Sequence, residues 1–439
     1  MKKISFCINT SRNEKNYISL LLTSMENNFS SFDHEIIIFI DSDNQNTYKF
    51  LKERDSKFKD IRILKNKLDV PIGYAPNINI MFELAKHDIV SMIQSDMVVC
   101  KNYDKEILRH LKDDNTIISA TRVEPSLHPQ SPEKYTMDFG LNPDEFDFDS
   151  FNSFVSNNTD LEKTTYYWFA PFTLYKKQWL DIGGHDTLFR RSREDTDILM
   201  RFRLKGLNII QTWSALVYHF TCVSSRGQDW FKEENQDRTQ LQEVADNIEM
   251  GKFMRKWKNI HHTAEPIEDY SKHYLYRCSL LLRNCSSQLV ERIINISLFF
   301  DRVYVDDIET LNLIHQKMRE NDIPANKLFG YTEDQWDLYS KNYITCDYKD
   351  IFKDIKDYSE DDISVTTNIT DITTTKTHSS RVSFLQKIND IIHYQVDSNG
   401  EFEYDVFKVV VNNKNNVIED NIYTNNPEWD LDLILEDTI

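Results

Sequence analysis

Short apolar runs at residues 4–8, 35–40, 61–64, 89–93 and 117–121 alternate with longer mixed segments, four of which (17–27, 47–57, 78–86 and 104–111) read as helices. Parallel strands need a crossover of a dozen or more residues, and helices of this length supply it, so the pattern predicts βαβ units and a mainly parallel sheet. Right-handed crossovers then cover both faces, and ligands gather at the carboxyl ends of the strands. The expected fold class is a Rossmann-like α/β domain.

The chain has 439 residues, enough for two or three units. Its 40% hydrophobic and 12% aromatic content is globular throughout. A formal charge of −19 opposes binding along a nucleic-acid backbone, which needs clustered Lys and Arg, so no nucleic-acid partner is expected. An anionic ligand must instead be held locally by a metal ion, backbone amides or a few placed cations. Cys7, Cys100, Cys222, Cys278, Cys285 and Cys346 form no C-x-x-C pair, which fits free thiols in a reducing compartment. The opening apolar stretch is too short for a secretory core, and no run reaches membrane-spanning length. The expectation is a cytoplasmic protein without a transmembrane segment, any membrane contact being peripheral.

Residues 125–160 lack a clean period and are rich in Pro, Ser, Asn and Asp, so they read as one long loop. A helix at 176–182 should stop at Gly183 and Gly184, where absent side chains suit a left-handed cap or a close backbone approach. Further helices are expected at 195–204, ended by Gly206, and at 229–257. These features divide the chain into a first domain, 1–260, and a smaller α/β domain, 261–439. In the latter, 279–284 and 300–307 echo the first two strands and 362–368 echoes the fourth, as a degenerate copy of the first fold would. Residues 371–380 read as a Thr-rich loop and the acidic tail from Glu428 as solvated.

Polar residues follow the strands in an order that suits chemistry. Thr10, Arg12 and Glu14 follow the first strand, Asp41 and Asp43 the second, and Ser95 and Asp96 the fourth. Asp96 is placed for a divalent cation on phosphate oxygens, although an Asp after a strand also caps turns. Gly184 and Asp186 precede Glu194 and Asp195 at a helix start. There the dipole favours an anion, and a fixed carboxylate can take a proton from a hydroxyl; simple capping explains the same acids equally well. His219 closes a further strand as a candidate second metal ligand, with a structural histidine as the alternative. His87, His110, His261 and His262 read as surface or packing residues.

As an ordered set, residues 3–259 resemble the inverting family 2 glycosyltransferases of GT-A fold. Residues 4–13 look like that family's first strand and nucleotide loop, and 35–43 like its second strand. Residues 73–79 resemble its Gly-to-Asn segment, with Asn79 matched and Ile78 where arginine is common. Gln94, Ser95 and Asp96 keep the last Asp of the D-x-D element. Residues 183–186 are similar to G-G-F-D, and 194–197 match E-D-x-D. Residues 218–227 resemble the metal-binding His and the loop closing over the diphosphate, and 253–257 the aromatic and basic end of the domain.

The resemblance implies a glycosyltransferase moving sugar from a nucleotide-diphosphate sugar, a UDP-sugar favoured, to a hydroxyl of a glycan, a lipid-linked or a protein acceptor. It implies Mn2+ or Mg2+ held by Asp96 and His219, and Asp195, beside Glu194, as general base. Thr10, Arg12, Glu14, Asp41, Asp43, Asn79, Ser95, Asp96 and Arg226 would meet the donor, and Trp168, Gly184 and Asp186 the acceptor. Two other readings stay open: a GT-A-fold binding module without activity, and a sugar-phosphate nucleotidyltransferase, which would want a Gly-rich basic loop where residues 9–14 have no glycine.

Overall fold

The computed structural model describes residues 2–68, 71–126, 130–167, 170–187, 189, 193–220, 249, 253, 278–283, 285–297, 302–320, 328–330, 363–368, 400–404, 407–411 and 434–438. Two compact units form, one from residues 1–236 and 423–439 and one from 237–422. The sequence grouped 423–439 with the second domain, whereas the chain returns to the first unit there.

The first unit runs β1 (Ile4–Thr10), α1 (Lys15–Asn28), β2 (Glu35–Ile40), α2 (Thr47–Glu53), β3 (Asp60–Asn66), α3 (Tyr74–Leu84), β4 (Ile89–Gln94), β5 (Met97–Val99), α4 (Tyr103–Arg109) and β6 (Thr116–Glu124). It continues through β7 (Tyr135–Thr136), α5 (Phe148–Asn158), β8 (Thr164–Thr165), β9 (Phe172–Tyr175), α6 (Lys176–Asp181), α7 (Glu194–Leu204) and β10 (Asn208–His219). The second unit contains β11 (Cys278–Arg283), α8 (Val290–Ser297), β12 (Arg302–Val305), α9 (Ile308–Glu320), β13 (Leu328–Gly330), β14 (Ile363–Asn368), β15 (Gly400–Tyr404) and β16 (Phe407–Val411); β17 (Ile434–Thr438) rejoins the first.

The first sheet has the order β17-β3-β2-β1-β4-β9-β6-β10-β5, with β7 on β6 and β8 on β10. Its centre, β3-β2-β1-β4, is parallel. β2 is buried at every residue, as expected of a strand covered on both faces. Along β1, Ile4, Phe6 and Ile8 join one core cluster with Ile18, Leu21 and Met25 of α1, whereas Cys7 joins the opposite cluster with Phe82 of α3 and Trp179 of α6. The period-2 alternation of the strand thus feeds two cores. Cys7 and Cys100 are buried free thiols, and burial pushes Cys100 up to about 12.

The second sheet has the order β13-β12-β11-β14-β16-β15. Its first four strands are parallel and β16 is antiparallel to β14. Third, second, first, fourth, then an antiparallel strand is the same arrangement as β3-β2-β1-β4-β9. The echoes in the sequence correspond to strands at equivalent places: β11 to β1, β12 to β2 and β14 to β4.

The segment 125–160 is not one loop. Asp147 caps α5 by accepting from the Ser150 amide, and Phe148, Phe151, Phe154 and Val155 recur at helical spacing. The acidic-aromatic run 144–149 leading into the helix hides the period. Phe151 is fully buried against Phe139, Phe146 and Tyr218 of β10. The strand expected at 117–121 runs on to Glu124, and the helix expected at 47–57 stops at Glu53. The helix expected at 229–257 and the loop at 371–380 lie outside the described residues, but for Glu249 and Phe253 in the former.

Replacing Phe151 by Ala should leave a cavity under β10 and cost roughly 3–5 kcal/mol. A lowered urea midpoint would register it, and an unchanged midpoint would mean that α5 contributes nothing to the core.

Candidate active site

The carboxyl ends of β1, β2 and β3 surround a cavity of about 550 Å³ lined by Arg12, Ser42, Asp43, Tyr48, Lys65 and Asn66, among others. The loops that shape it are tied to one another. Arg12 Nε donates to Ser42 Oγ at 2.6 Å, and the Asn13 amide donates to Asn44 Oδ1 at 2.9 Å. Glu14, 6% exposed, accepts from the Ser11 amide (2.9 Å) and from Ser95 Oγ (2.8 Å), linking the first loop to the turn after β4. Asp41 accepts from the amides of Ile72 (2.7 Å) and Gly73 (3.0 Å), and so holds the entry to α3. Asp43 accepts from the amides of Thr47 (2.8 Å) and Tyr48 (3.1 Å) at the start of α2. Burial opposes ionisation of Asp43, but those amides and the Lys65 charge outweigh it and hold its pKa below the usual carboxylate range. Thr10 is buried at the end of β1.

Further along the sheet, the antiparallel pairing of β10 with β5 sets His219 opposite Met97, and the Phe220 amide donates to the Asp96 carbonyl at 3.1 Å. The backbone thereby brings His219 Nε2 within 3.6 Å of Asp96 Oδ2. His219 Nδ1 lies 2.7 Å from Glu124 Oε1, at the end of β6. Glu124 is 3% exposed and also pairs with Arg122 (3.3 Å) and Lys134 (2.5 Å). Arg122 reaches back to Gln94 Oε1 at 3.5 Å. Burial opposes the Glu124 charge, yet the His219 bond and the Arg122 guanidinium hold its pKa far below the ordinary value.

This geometry tests the metal expectation. In the tautomer that donates Nδ1–H to Glu124, Nε2 turns its lone pair toward the Asp96 carboxylate, and two acceptors face each other. A cation between them would satisfy both acceptors of that tautomer, and a carboxylate holding the far nitrogen is the usual support for a metal-binding histidine. One oxygen and one imidazole nitrogen suit Mn2+ or Mg2+. Among the described residues no cluster of three His, Cys, Asp or Glu side chains surrounds such a position, so the other ligands would be phosphate oxygens and water.

The side expected to meet the acceptor is built on two glycines. Gly183 and Gly184 have φ of 75° and 69°. A Cβ on Gly184 would lie 2.4 Å from Asn79 Oδ1 and 2.7 Å from Trp179 Nε1, so only glycine fits. Asn79, expected at the donor, has its amide engaged here: Nδ2 donates to the His185 carbonyl and Oδ1 accepts from the His185 amide, both at 2.8 Å. The His185 ring packs edge-on to Trp179 at 4.8 Å, and burial, reinforced by the Arg201 charge, takes its pKa down to about 3, so it is neutral. Arg201, fully buried on α7, donates to the carbonyls of Ile182 (2.8 Å) and Gly184 (2.5 Å) and pairs with Asp197 at 2.8 Å. Those bonds fasten α7 to the glycine turn. Glu194 and Asp195 open α7; Asp186 is buried, and Asp195 is exposed with Oδ1 accepting from the Thr196 amide at 2.6 Å.

Two tyrosines lie within the electrostatic reach of both groups. Burial raises the Tyr74 hydroxyl well above its ordinary pKa, Glu194, Asp195 and Asp96 raise it further, and Arg122 opposes them. Tyr167 is likewise raised by burial and then by Glu133, Glu124 and Asp195, again against Arg122. The fields of Asp96 and Asp195 therefore meet at one phenol. Trp168 and Arg226 lie outside the described residues. Sequence reasoning missed Arg122, Glu124, Tyr74 and Tyr167; charged residues ending a strand at the ligand edge were the available signal for the first two, lost when β6 was ended at residue 121.

A doubly covered, mostly parallel sheet with polar groups at its carboxyl edge is a Rossmann-like arrangement, which GT-A nucleotide-sugar transferases share. Residues 7–192 match Glycosyl transferase family 2, and this part of the chain is accordingly a family 2 glycosyltransferase domain. The mannosyltransferase PcManGT from Pyrobaculum calidifontis, in complex with GDP-Man and Mn2+, is similar over 58% of this chain and 65% of its own, just under two thirds of its length, at 12% identity and a TM-score of 0.39. S. aureus TarS 1–349 in complex with UDP is similar over 79% of this chain and 94% of its own, at 12% identity and a TM-score of 0.37. No curated protein matches the sequence. Among the described residues no helix is long and apolar enough to cross a membrane.

Glu124 also sets an acid limit. Its folded pKa lies below its unfolded value of about 4.3, so its contribution is complete above that value and is lost as pH falls toward the folded pKa. Melting temperatures between about pH 5 and 3 should fall less steeply for Glu124→Gln than for the parent. Parallel curves would remove Glu124 from the network.

Proposed function

We propose that the first unit transfers a sugar from a nucleotide-diphosphate sugar to an acceptor hydroxyl with inversion at the anomeric carbon. The observation that carries this reading is the 3.6 Å approach of His219 Nε2 to Asp96 Oδ2, with Glu124 on the opposite ring nitrogen, at the ligand edge of a family 2 domain. Such a pair is suited to Mn2+ or Mg2+ on a diphosphate, where the cation would offset the negative charge of the leaving group.

Asp195 is the proposed general base. Its exposed carboxylate accepts the acceptor's hydroxyl proton as that oxygen attacks the anomeric carbon. The carbon–oxygen bond to the diphosphate breaks on the opposite face and its electron pair leaves with the nucleoside diphosphate. Arg201 and Asp197 hold α7 against the glycine turn, so the base is fixed relative to Asp186. Asn79 positions that turn. The nucleoside is assigned to the cavity of Arg12, Asp43, Tyr48 and Lys65, where local cations overcome an acidic chain. Glu14, Asp41 and Ser95 shape the adjoining loops. A UDP-sugar donor and a glycan, lipid-linked or protein acceptor follow from the family likeness; the domain from residue 261, or from 237 by its contacts, is assigned to acceptor or partner recognition.

Asp195→Asn should lower transfer by about 10²-fold or more while the donor-nucleotide Kd stays constant. A panel of nucleotide sugars, assayed with Mn2+ and with a chelator, supplies the readout. Undiminished turnover in the variant would remove the base, and no transfer or hydrolysis by the parent under either condition would leave a binding module.

A further inference from the structure

β17 lies far beyond the matched residues 7–192, yet it forms the edge of the catalytic sheet. It runs antiparallel to β3 with Leu435 opposite Lys65 and Asp437 opposite Ile63. Because the directions oppose, the first residues of β17 sit at the carboxyl end of β3, where the ligand cavity opens. Leu435, 38% exposed, lines that cavity beside Lys65 and Tyr48. The Tyr48 hydroxyl donates to Asp437, which also pairs with Lys52 at 3.0 Å. On the opposite face, Glu436 pairs with the nearly buried Arg62 at 2.8 Å, and Ile434 packs on the core that includes Leu64 and Phe39.

A strand that only covered a sheet edge would need main-chain pairing and no wall position in a cavity. Here alternate residues do two jobs: Ile434 and Glu436 dock the strand, and Leu435 and Asp437 face the cavity side. The cavity lining, among the described residues, has three cations, Arg12, Lys65 and Lys67, against one acid, Asp43, which suits a nucleoside carrying phosphate. Leu435 and the Tyr48 ring supply apolar surface for the nucleoside itself.

We propose that β17 is a working part of the donor site, with Leu435 forming the wall against the nucleoside and Asp437 acting as the positioning residue that fixes Tyr48. This rests on the cavity being the donor's nucleoside pocket. Residues 237–422 lie between β10 and β17 in the chain, so the donor pocket is complete only when the polypeptide has passed through the second unit and returned.

Titration of the full chain with UDP and with GDP, and of Leu435→Asp and Asp437→Asn, tests this. Leu435→Asp should raise the Kd of the preferred nucleotide by about fivefold or more, Asp437→Asn by less, with the melting temperature held. In the parent, the same nucleotide should slow amide exchange at 434–438, a readout that stands if Leu435→Asp does not fold. Equal affinity in a folded Leu435→Asp, or exchange at 434–438 indifferent to nucleotide, would overturn the role of β17 and leave the pocket standing. A parent that binds neither nucleotide would overturn the pocket assignment, and β17 with it.

Discussion

The pairing of β5 with the far end of β10 is the contact on which the proposed metal site of the first unit depends. It joins the turn that carries Asp96 to the strand that carries His219. β6 lies on the other side of β10 and contributes Glu124 to the remaining imidazole nitrogen. Three strands thus present carboxylate, imidazole and carboxylate in a row, and main-chain bonds hold the spacing. The register shift in β10 between Thr212 and Leu216 falls before this segment and re-aligns the strand on β6, so that Tyr218 meets Val123 and the following residue reaches Glu124.

The second rigid element is the clamp around the glycine turn. Asn79 on α3, Trp179 on α6 and Arg201 on α7 converge on Gly184 and His185. The absent side chain at Gly184 lets three helices approach one backbone segment, and Arg201, paired with Asp197, donates to the carbonyls of Ile182 and Gly184 that the turn leaves without helical partners. Rigidity here suits the proposed base Asp195, because a base on a helix is only as well aimed as the helix is held.

Charge is distributed against the average. The chain as a whole is strongly acidic, yet the cavity at β1 to β3 gathers Arg12, Lys65 and Lys67, and the Glu124 network gathers Arg122 and Lys134. Local cations close to a ligand outweigh a distant acidic surface, since screening suppresses the latter beyond about 8–10 Å. The second unit repeats the strand order of the first half of the catalytic sheet, and among its described residues Asp307 serves α9 by accepting from the Thr310 amide at 2.8 Å, a capping role like that of Asp43 on α2.

Residue order alone determined the βαβ core, because apolar alternation and helix spacing are local properties: β1 to β4, the glycine turn and the acids opening α7 were all legible, as was the set of strands β11, β12 and β14 that repeats them. Local pattern failed where the period was mixed with charge, as at the entry to α5, where the run 144–149 alternates acids with phenylalanines. Tertiary structure alone decided which side chains spend their hydrogen bonds on the protein itself: Asn79, Asp41 and Asp43 proved to hold loops, and Glu124, unmarked in the sequence, proved to hold His219. It also decided that β17 belongs to the first sheet. Apart from Asp43, whose amide partners are near in the chain, the physical reason is shared: partners separated by 31 residues (Asp41), 95 (Glu124), 106 (Asn79) or more (β17) meet through strand register and burial, and neither leaves a periodic trace along the chain.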